Sequence, residues 1–298
     1  MSFLMVGGTG NVGSAITIAL AMQGFRVTAM LRGGQSHPKA KQLLDARVQV
    51  VEGDLWRPDT IDNAVEGIDT VITSATSMPS GADDGLKKTD RDGILALIGA
   101  SVAKGVRRFV YVSYSGNIQE ESPLQTAKRD CEKRLLDSGM EAVILRPSYF
   151  MESWLSPMLG FDPANGSARI YGSGDAKVSY ISSSNVADFA VAAATAELQE
   201  KRTILELGGP QALSQLEVVR LFEQQLGCRL KVEHVPVEAL IAQHQSSDPL
   251  QKTFGALMLA YARGDEVKDA VPNAQRYRIQ LRTLSEYASR FRLPATVS

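Results

Sequence analysis

Cysteine is scarce: 298 residues contain only Cys131 and Cys228. A disulfide framework needs more, and a structural metal site needs cysteines or histidines at ligand spacing. The three histidines, His37, His234 and His244, are scattered and form no cluster with carboxylates. They read as structural or surface groups, and no metal is expected. Such cysteine usage makes a reducing, cytoplasmic compartment the default. An excess of one charge is also missing. Lys and Arg number 32 against 33 Asp and Glu, for a formal net charge of −1. A chain whose main partner is nucleic acid carries a basic excess, so no such partner is expected. No apolar run reaches the roughly 18 residues of a membrane span, and no basic segment leads into an apolar one at the N-terminus. Neither a membrane association nor a signal peptide is expected. The 44% hydrophobic and 22% charged residues are globular values and exclude a disordered or coiled-coil chain.

What is present is an alternation of two periods. Short apolar runs predict buried strands at Ser2–Val6, Arg26–Leu31, Val48–Val51, Thr70–Thr73, Arg108–Val112 and Ala142–Leu145. Helical spacing lies between them at Val12–Met22, Ile94–Ala103 and about 124–136. A further helix from Ser184 or Asn185 leads to a strand at Thr203–Leu207. Strands with no polar face, separated by helices, form a parallel sheet covered on both sides. Right-handed crossovers then give a doubly wound α/β layer. After Pro147 the pattern loosens. Residues 160–174 hold the turn pairs Asp162-Pro163 and Asn165-Gly166 and then Gly172-Ser173-Gly174, and read as loop. Two capping boxes, Ser214 with Glu217 and Thr283 with Glu286, announce later helices; Gly227 ends the first, over Val218–Leu226.

The strongest motif is Gly7-Gly8-Thr9-Gly10-Asn11-Val12-Gly13, between the first strand and the first helix. A tight strand-to-helix turn needs residues that tolerate positive φ, and a pyrophosphate must approach the main chain with no Cβ in its way. The helix start then offers unpaired N–H groups to the phosphates. This context predicts a dinucleotide site on a Rossmann-type doubly wound parallel sheet. Residues 1–148 plus about 182–208 form that domain. A small C-terminal α+β substrate lobe takes about 149–181 plus 209–298, and the two pack as one body around a cleft.

An NAD site places a carboxylate about 20 residues past the glycines, where it accepts from the ribose hydroxyls. Arg32 stands there, followed by two glycines, with no acid nearby. A guanidinium suits a 2′-phosphate, and Lys39 and Lys41 add to its field, so the expected cofactor is NADP(H). Asp54, with Leu55, ends the third strand and can accept from the adenine amino group or simply close a turn. Thr73, Ser74 and Ala75 are small enough to let the cofactor cross the sheet edge.

Several blocks resemble the extended and atypical short-chain dehydrogenases, in particular their NmrA-like branch. The glycine turn is similar to their G-x-x-G-x-x-G loop, and Gly53-Asp54-Leu55 to their G-D-L/V block. Residues 105–113 resemble "AGVKRFVYVSS", and residues 145–152 resemble "LRPGFFMEN". Tyr180-Ile181 with residues 185–190 resembles the "I-x-x-x-DVA" segment. The likeness covers nearly the whole chain and is weakest beyond about residue 235. It implies an NADP-binding Rossmann domain in which Gly7, Thr9, Gly10, Asn11, Val12, Gly13, Arg32, Asp54, Leu55, Thr73, Ser74, Ala75, Lys128, Pro147 and Ser148 hold the cofactor. It implies no single activity: the branch includes quinone and isoflavonoid-type reductases and also redox sensors that bind NADP(H) without turnover.

Short-chain dehydrogenases use Tyr-x-x-x-Lys with a Ser. Here Lys128 and Ser113 match, but Leu124 stands where the Tyr belongs. Leu124 has no proton to transfer. Three routes stay open. Tyr114 or Tyr149 supplies the acid, Lys128 shuttles the proton, or the acceptor needs none from the protein. Away from the family pattern, Lys128 reads as a surface helix lysine near Glu132 and Tyr149 as packing. Met151, Trp154, Met158 and Leu159 wall an apolar substrate pocket or simply pack a core, and residues 243–248 form a lid or an exposed loop. The expected activity is NADPH-dependent hydride transfer to a small, largely apolar acceptor such as a quinone or conjugated carbonyl. The alternative is a non-catalytic NADP(H) sensor with a regulatory protein partner. A homodimer is left open.

Overall fold

A computed structural model describes residues 1–79 and 84–291. Its strands are β1 (Ser2–Val6), β2 (Arg26–Leu31), β3 (Gln49–Glu52), β4 (Thr70–Thr73), β5 (Arg108–Val112), β6 (Glu141–Pro147), β7 (Phe161–Asp162), β8 (Ser167–Tyr171), β9 (Lys177–Val178), β10 (Arg202–Leu207), β11 (Leu213–Ser214) and β12 (Lys231–Val235). Its α-helices are α1 (Asn11–Met22), α2 (Ala40–Asp45), α3 (Ile61–Val65), α4 (Ile94–Ala103), α5 (Pro123–Leu136), α6 (Met151–Trp154), α7 (Ser183–Thr195), α8 (Gln215–Leu226), α9 (Val237–His244), α10 (Pro249–Arg263), α11 (Ala270–Tyr277) and α12 (Leu284–Ala288).

Seven strands form one sheet in the order β10-β6-β5-β4-β1-β2-β3. Strands β3 to β6 in that row run parallel, with Phe3 opposite Val27 on one side and Leu4 opposite Val71 on the other. β1 and β5 are buried at every residue, as strands covered on both faces must be. The strand order reverses between β1 and β4, and ligands of open α/β sheets bind at such a switch point. The helix α1 buries Gly13, Ile16, Thr17 and Leu20, the one-sided spacing that lays it on the sheet. The Rossmann-type α/β architecture read from the sequence is the one observed.

The chain divides into two compact units. One comprises Met1–Tyr114, Pro123–Arg146 and Val186–Leu205; the other comprises Ser115–Ser122, Pro147–Asn185 and Glu206–Ser298. In the first unit, a wide π-helical turn over Leu86–Gly93 leads directly into α4. It carries Asp90, which is fully buried. The buried stripe of α5 is Leu124, Ala127, Lys128, Cys131, Glu132 and Leu135. The reading of Lys128 as a surface lysine is therefore corrected: it lies on the sheet-facing side.

In the second unit, the loop expected over residues 160–174 is corrected as well. Phe161 pairs with Ala168 in an antiparallel hairpin, and β8 pairs in parallel with β12, with Ile170 opposite His234. β9 and β11 form a separate antiparallel pair. Both capping boxes are made, and Gly227 ends α8 at φ +66°. Gly255 lets α9 and α10 close on one another, since a Cβ there would lie 2.3 Å from the His244 nitrogen. Residues 243–248 join these two helices, and Asp248 caps the second through Gln251 N–H at 2.7 Å. Among the described residues no helix is long and apolar enough to cross a membrane.

Candidate functional site

The turn after β1 is closed by a hydrogen bond from Gly10 N–H to the Gly7 carbonyl at 3.1 Å. Gly7 sits at φ +88°, and a Cβ on it would fall 2.8 Å from the Ala75 nitrogen. A Cβ on Gly13 would meet the Gly7 carbonyl oxygen at 2.1 Å. These two glycines are required by the fold of the turn itself. Gly10 differs: the nearest atom to its Cβ position is 3.6 Å away. It is also the N-cap of α1 and offers no side-chain cap, which leaves the first helical N–H groups for a ligand.

Beside this turn lies a pocket of about 300 Å³. Of the residues expected from the sequence, Gly7, Thr9, Gly10, Arg32, Asp54, Leu55, Ser74 and Ala75 line it. Arg32 follows β2, and neither that strand nor residues 33–39 contribute a carboxylate. Asp54 lines the pocket, and its Oδ1 accepts from Trp56 N–H at 3.0 Å to close a turn. Asn11, Val12 and Gly13 form the first turn of α1. Thr73 is fully buried and accepts from Ala75 N–H at 3.3 Å, so it shapes the strand end without lining the pocket. Pro147 and Ser148 belong to the second unit.

The pocket also has walls that sequence reasoning missed: His37, Trp56, Ser77, Met78 and Thr89. Trp56 donates its indole N–H to Thr89 Oγ1 at 2.7 Å, and the Lys88 ammonium lies 4.9 Å from its ring centre. The reading of His37 as an isolated structural or surface group is thus refined, because it lines the same pocket as Arg32. An amide-rich turn, an open glycine at the helix start and an arginine among the lining residues fit a dinucleotide carrying an extra phosphate.

Lys128 lies among side chains from three other segments. Its Nζ is 3.6 Å from Asp90 Oδ1 and 5.2 Å from the Tyr111 ring centre. The other oxygen of Asp90 accepts from the Ser77 N–H at 2.9 Å and from the Ser77 hydroxyl at 2.6 Å. Since Ser77 lines the pocket, Asp90 ties the pocket wall to Lys128. Two buried charges of opposite sign answer each other here, as burial requires. Glu132, the neighbour first expected for Lys128, is engaged elsewhere. It receives Arg129 Nη1 at 2.7 Å and Arg146 Nη2 at 2.5 Å. Burial alone would raise its carboxyl pKa; Arg146 and Arg129 outweigh burial and hold it below its ordinary value. Burial pushes the Cys131 thiol up to about 12 and keeps the Tyr111 phenol protonated.

The remaining candidates are placed as follows. Ser113 is buried at the end of β5, its N–H on the Leu145 carbonyl at 2.8 Å. The Tyr114 ring lies under the Arg129 guanidinium, 4.9 Å away. Tyr149, in the second unit, donates its hydroxyl to the Leu257 carbonyl at 3.0 Å and packs edge-on against Trp154. Met151 is buried near that aromatic group in sequence, while Met158 is exposed. Leu124 is buried and apolar, so no proton donor stands at that position of α5.

Residues 7–197 match the sequence profile of a family described as NAD(P)H-binding. The chain belongs to that family. Its cofactor class is therefore NAD(P)H, in agreement with the turn and the pocket. Among curated relatives, photosystem II assembly factor Ycf39 of Trieres chinensis is 31% identical over 243 residues, which span 80% of this chain and 73% of that one. The isoflavone reductase homolog IRL of Zea mays is 26% identical over 310 residues, 97% of each chain. Among solved structures, the NADPH complex of quinone oxidoreductase QOR2 from Escherichia coli superposes with a TM-score of 0.79. The match covers 97% of this chain and 99% of that one at 19% identity, a likeness of fold.

Proposed function

We propose that this NAD(P)H-binding protein is an NADPH-dependent oxidoreductase whose acceptor is small, largely apolar and conjugated, such as a quinone or an enone. The observation that carries the reading is the buried Lys128–Asp90 pair, tied through Ser77 to a pocket whose adenosine end holds Arg32 and no carboxylate from β2. In this reading the first unit carries the cofactor. The amides of the glycine turn hold the pyrophosphate, and Arg32 holds the 2′-phosphate. When bound, NADPH supplies a hydride. Lys128 contributes a fixed positive charge that favours negative charge developing on the acceptor, and Asp90 holds the ammonium in place. Leu124 cannot supply a proton, so the reading selects acceptors whose reduced form takes its proton from water.

A second reading also has support. The leucine at position 124, and a relative named as an assembly factor, favour an NADP(H)-binding regulatory protein without turnover. Loss of nicotinamide absorbance at 340 nm, followed with a panel of quinones and enones, separates the two. Turnover that Lys128→Met abolishes supports the enzyme. Tight NADPH binding with no turnover on any acceptor supports the regulator and overturns the enzyme.

A further inference from the structure

The segment after β2 turns back on itself. Gly33 at φ +74° and Gly34 at φ +53° adopt left-handed conformations that suit glycine, and a single 3-10 turn over Gly34–Ser36 follows. His37 comes next and lines the pocket beside Arg32. The segment is fixed from two sides. Lys39 Nζ donates to the Thr9 carbonyl at 2.6 Å, which ties it to the glycine turn. The Lys39 backbone N–H donates to His37 Nδ1 at 3.1 Å.

That last bond sets the tautomer. A ring nitrogen that accepts from an N–H carries no proton, so the neutral imidazole of His37 holds its proton on Nε2. The other two histidines are arranged the opposite way. His234 Nδ1 lies 2.9 Å from the Gly172 carbonyl oxygen, and His244 Nε2 lies 2.8 Å from that of Glu121. A carbonyl oxygen only accepts, so in those rings the backbone takes up the N–H. In His37 the backbone takes up the acceptor nitrogen instead, and the N–H is left to serve a ligand in the pocket.

We infer that His37 is a specificity-determining residue for the cofactor: its Nε2–H donates to the 2′-phosphate on the adenosine ribose, next to the Arg32 guanidinium. The inference rests on the NADPH reading above and assigns the selectivity to two residues of different kinds. Arg32 supplies charge. His37 supplies a directed neutral donor on a segment already ordered by Lys39. A hydrogen bond to an ionised acceptor is about twice as strong as one to a neutral acceptor, so a phosphate gains more from His37 than a bare 2′-hydroxyl does. With one N–H on Thr9, Lys39 acts mainly as the anchor of the segment.

The test uses the full chain with four probes: adenosine 2′,5′-bisphosphate, ADP, NADPH and NADH, each measured by titration calorimetry. His37→Asn keeps a side-chain acceptor for the Lys39 N–H but has no donor at the Nε2 position; His37→Ala removes both. Both variants are expected to weaken the bisphosphate and NADPH about tenfold, the loss of one hydrogen bond to a charged group. ADP and NADH should be unaffected. Equal losses for ADP and the bisphosphate, or no loss for either, would overturn the role of His37. Wild-type protein that binds NADH as tightly as NADPH would overturn the NADPH reading itself. Nitrogen-edited NMR gives a readout independent of affinity, because the chain has only three histidines and His37→Asn assigns the signal. The expected spectrum shows the Nε2–H form of His37, shifted by the bisphosphate and not by ADP. An Nδ1–H form, or a ring indifferent to the bisphosphate, contradicts the inference.

Discussion

The glycine turn is built by main chain; the neighbourhood of Lys128 is built by side chains drawn from four segments. The turn runs over consecutive residues, closes with its own Gly10-to-Gly7 hydrogen bond, and excludes side chains by contact distances of 2.1 and 2.8 Å at Gly13 and Gly7. The Lys128 neighbourhood joins Ser77 after β4, Asp90 in the wide turn before α4, Tyr111 in β5 and Lys128 in α5. The first arrangement depends on the absence of atoms. The second depends on two charges that are safe only together. The two regions should therefore fail in different ways.

The largest effect is expected at the pair. Removing one member of a buried ion pair leaves the other charge uncompensated, at a cost of about 3–5 kcal/mol. Asp90→Leu should lower denaturant stability by that order, and adding Lys128→Met should restore part of it. A double variant no more stable than Asp90→Leu would mean that the two charges do not depend on each other.

At the turn, stability and binding should separate. Gly13→Ala places a methyl against the Gly7 carbonyl and should cost about 1–3 kcal/mol of stability through overpacking. Gly10→Ala meets nothing closer than 3.6 Å and should melt like the wild type. Yet in the proposed reading its methyl stands where the pyrophosphate approaches. NADPH affinity should fall by about a hundredfold, the loss of two hydrogen bonds to charged groups at roughly 1.5 kcal/mol each. Normal NADPH binding by Gly10→Ala would place the phosphates elsewhere.

The same contrast explains what was legible in the sequence. The bounds of β1, β2, β4, β5 and α4 follow from uninterrupted apolar runs or one-sided helical spacing, and both capping boxes follow from residues three apart. The glycine turn was legible because all its parts are neighbours in the chain. Asp90 was not, since its meaning comes from Ser77 and Lys128, which lie far from it in sequence. The β8–β12 pair was missed for a related reason. Ser167–Tyr171 is bracketed by Gly166 and Gly172 and reads as turn, while Lys231–Val235 has only Val232 and Val235 as apolar residues, in no regular alternation, and becomes a strand only by pairing. His37 was missed because nothing in its neighbours predicts that the chain turns back at Gly33 and Gly34.

Two smaller effects sharpen the comparison within α5. Glu132 has a folded pKa below its ordinary 4.5. Its contribution to stability is therefore complete above that ordinary value and is lost as pH falls through the lower folded value. Acid unfolding of Glu132→Gln should be shallower in that window; an identical acid limb would show that the two arginines do not stabilise its charge. Cys131, with its thiol pushed up to about 12, should resist thiol reagents at pH 8 in the native protein and react after denaturation. Two rapidly reacting thiols in the native state would contradict the burial of that side of α5.

The most direct test of the cofactor assignment is titration calorimetry of wild-type protein and Arg32→Asp with NADPH and NADH. Wild-type protein is expected to bind NADPH at least about tenfold more tightly than NADH, the value of one charge-assisted contact to the 2′-phosphate, and Arg32→Asp to reverse the order. Wild-type protein that binds neither nucleotide, or binds NADH the more tightly, would contradict it.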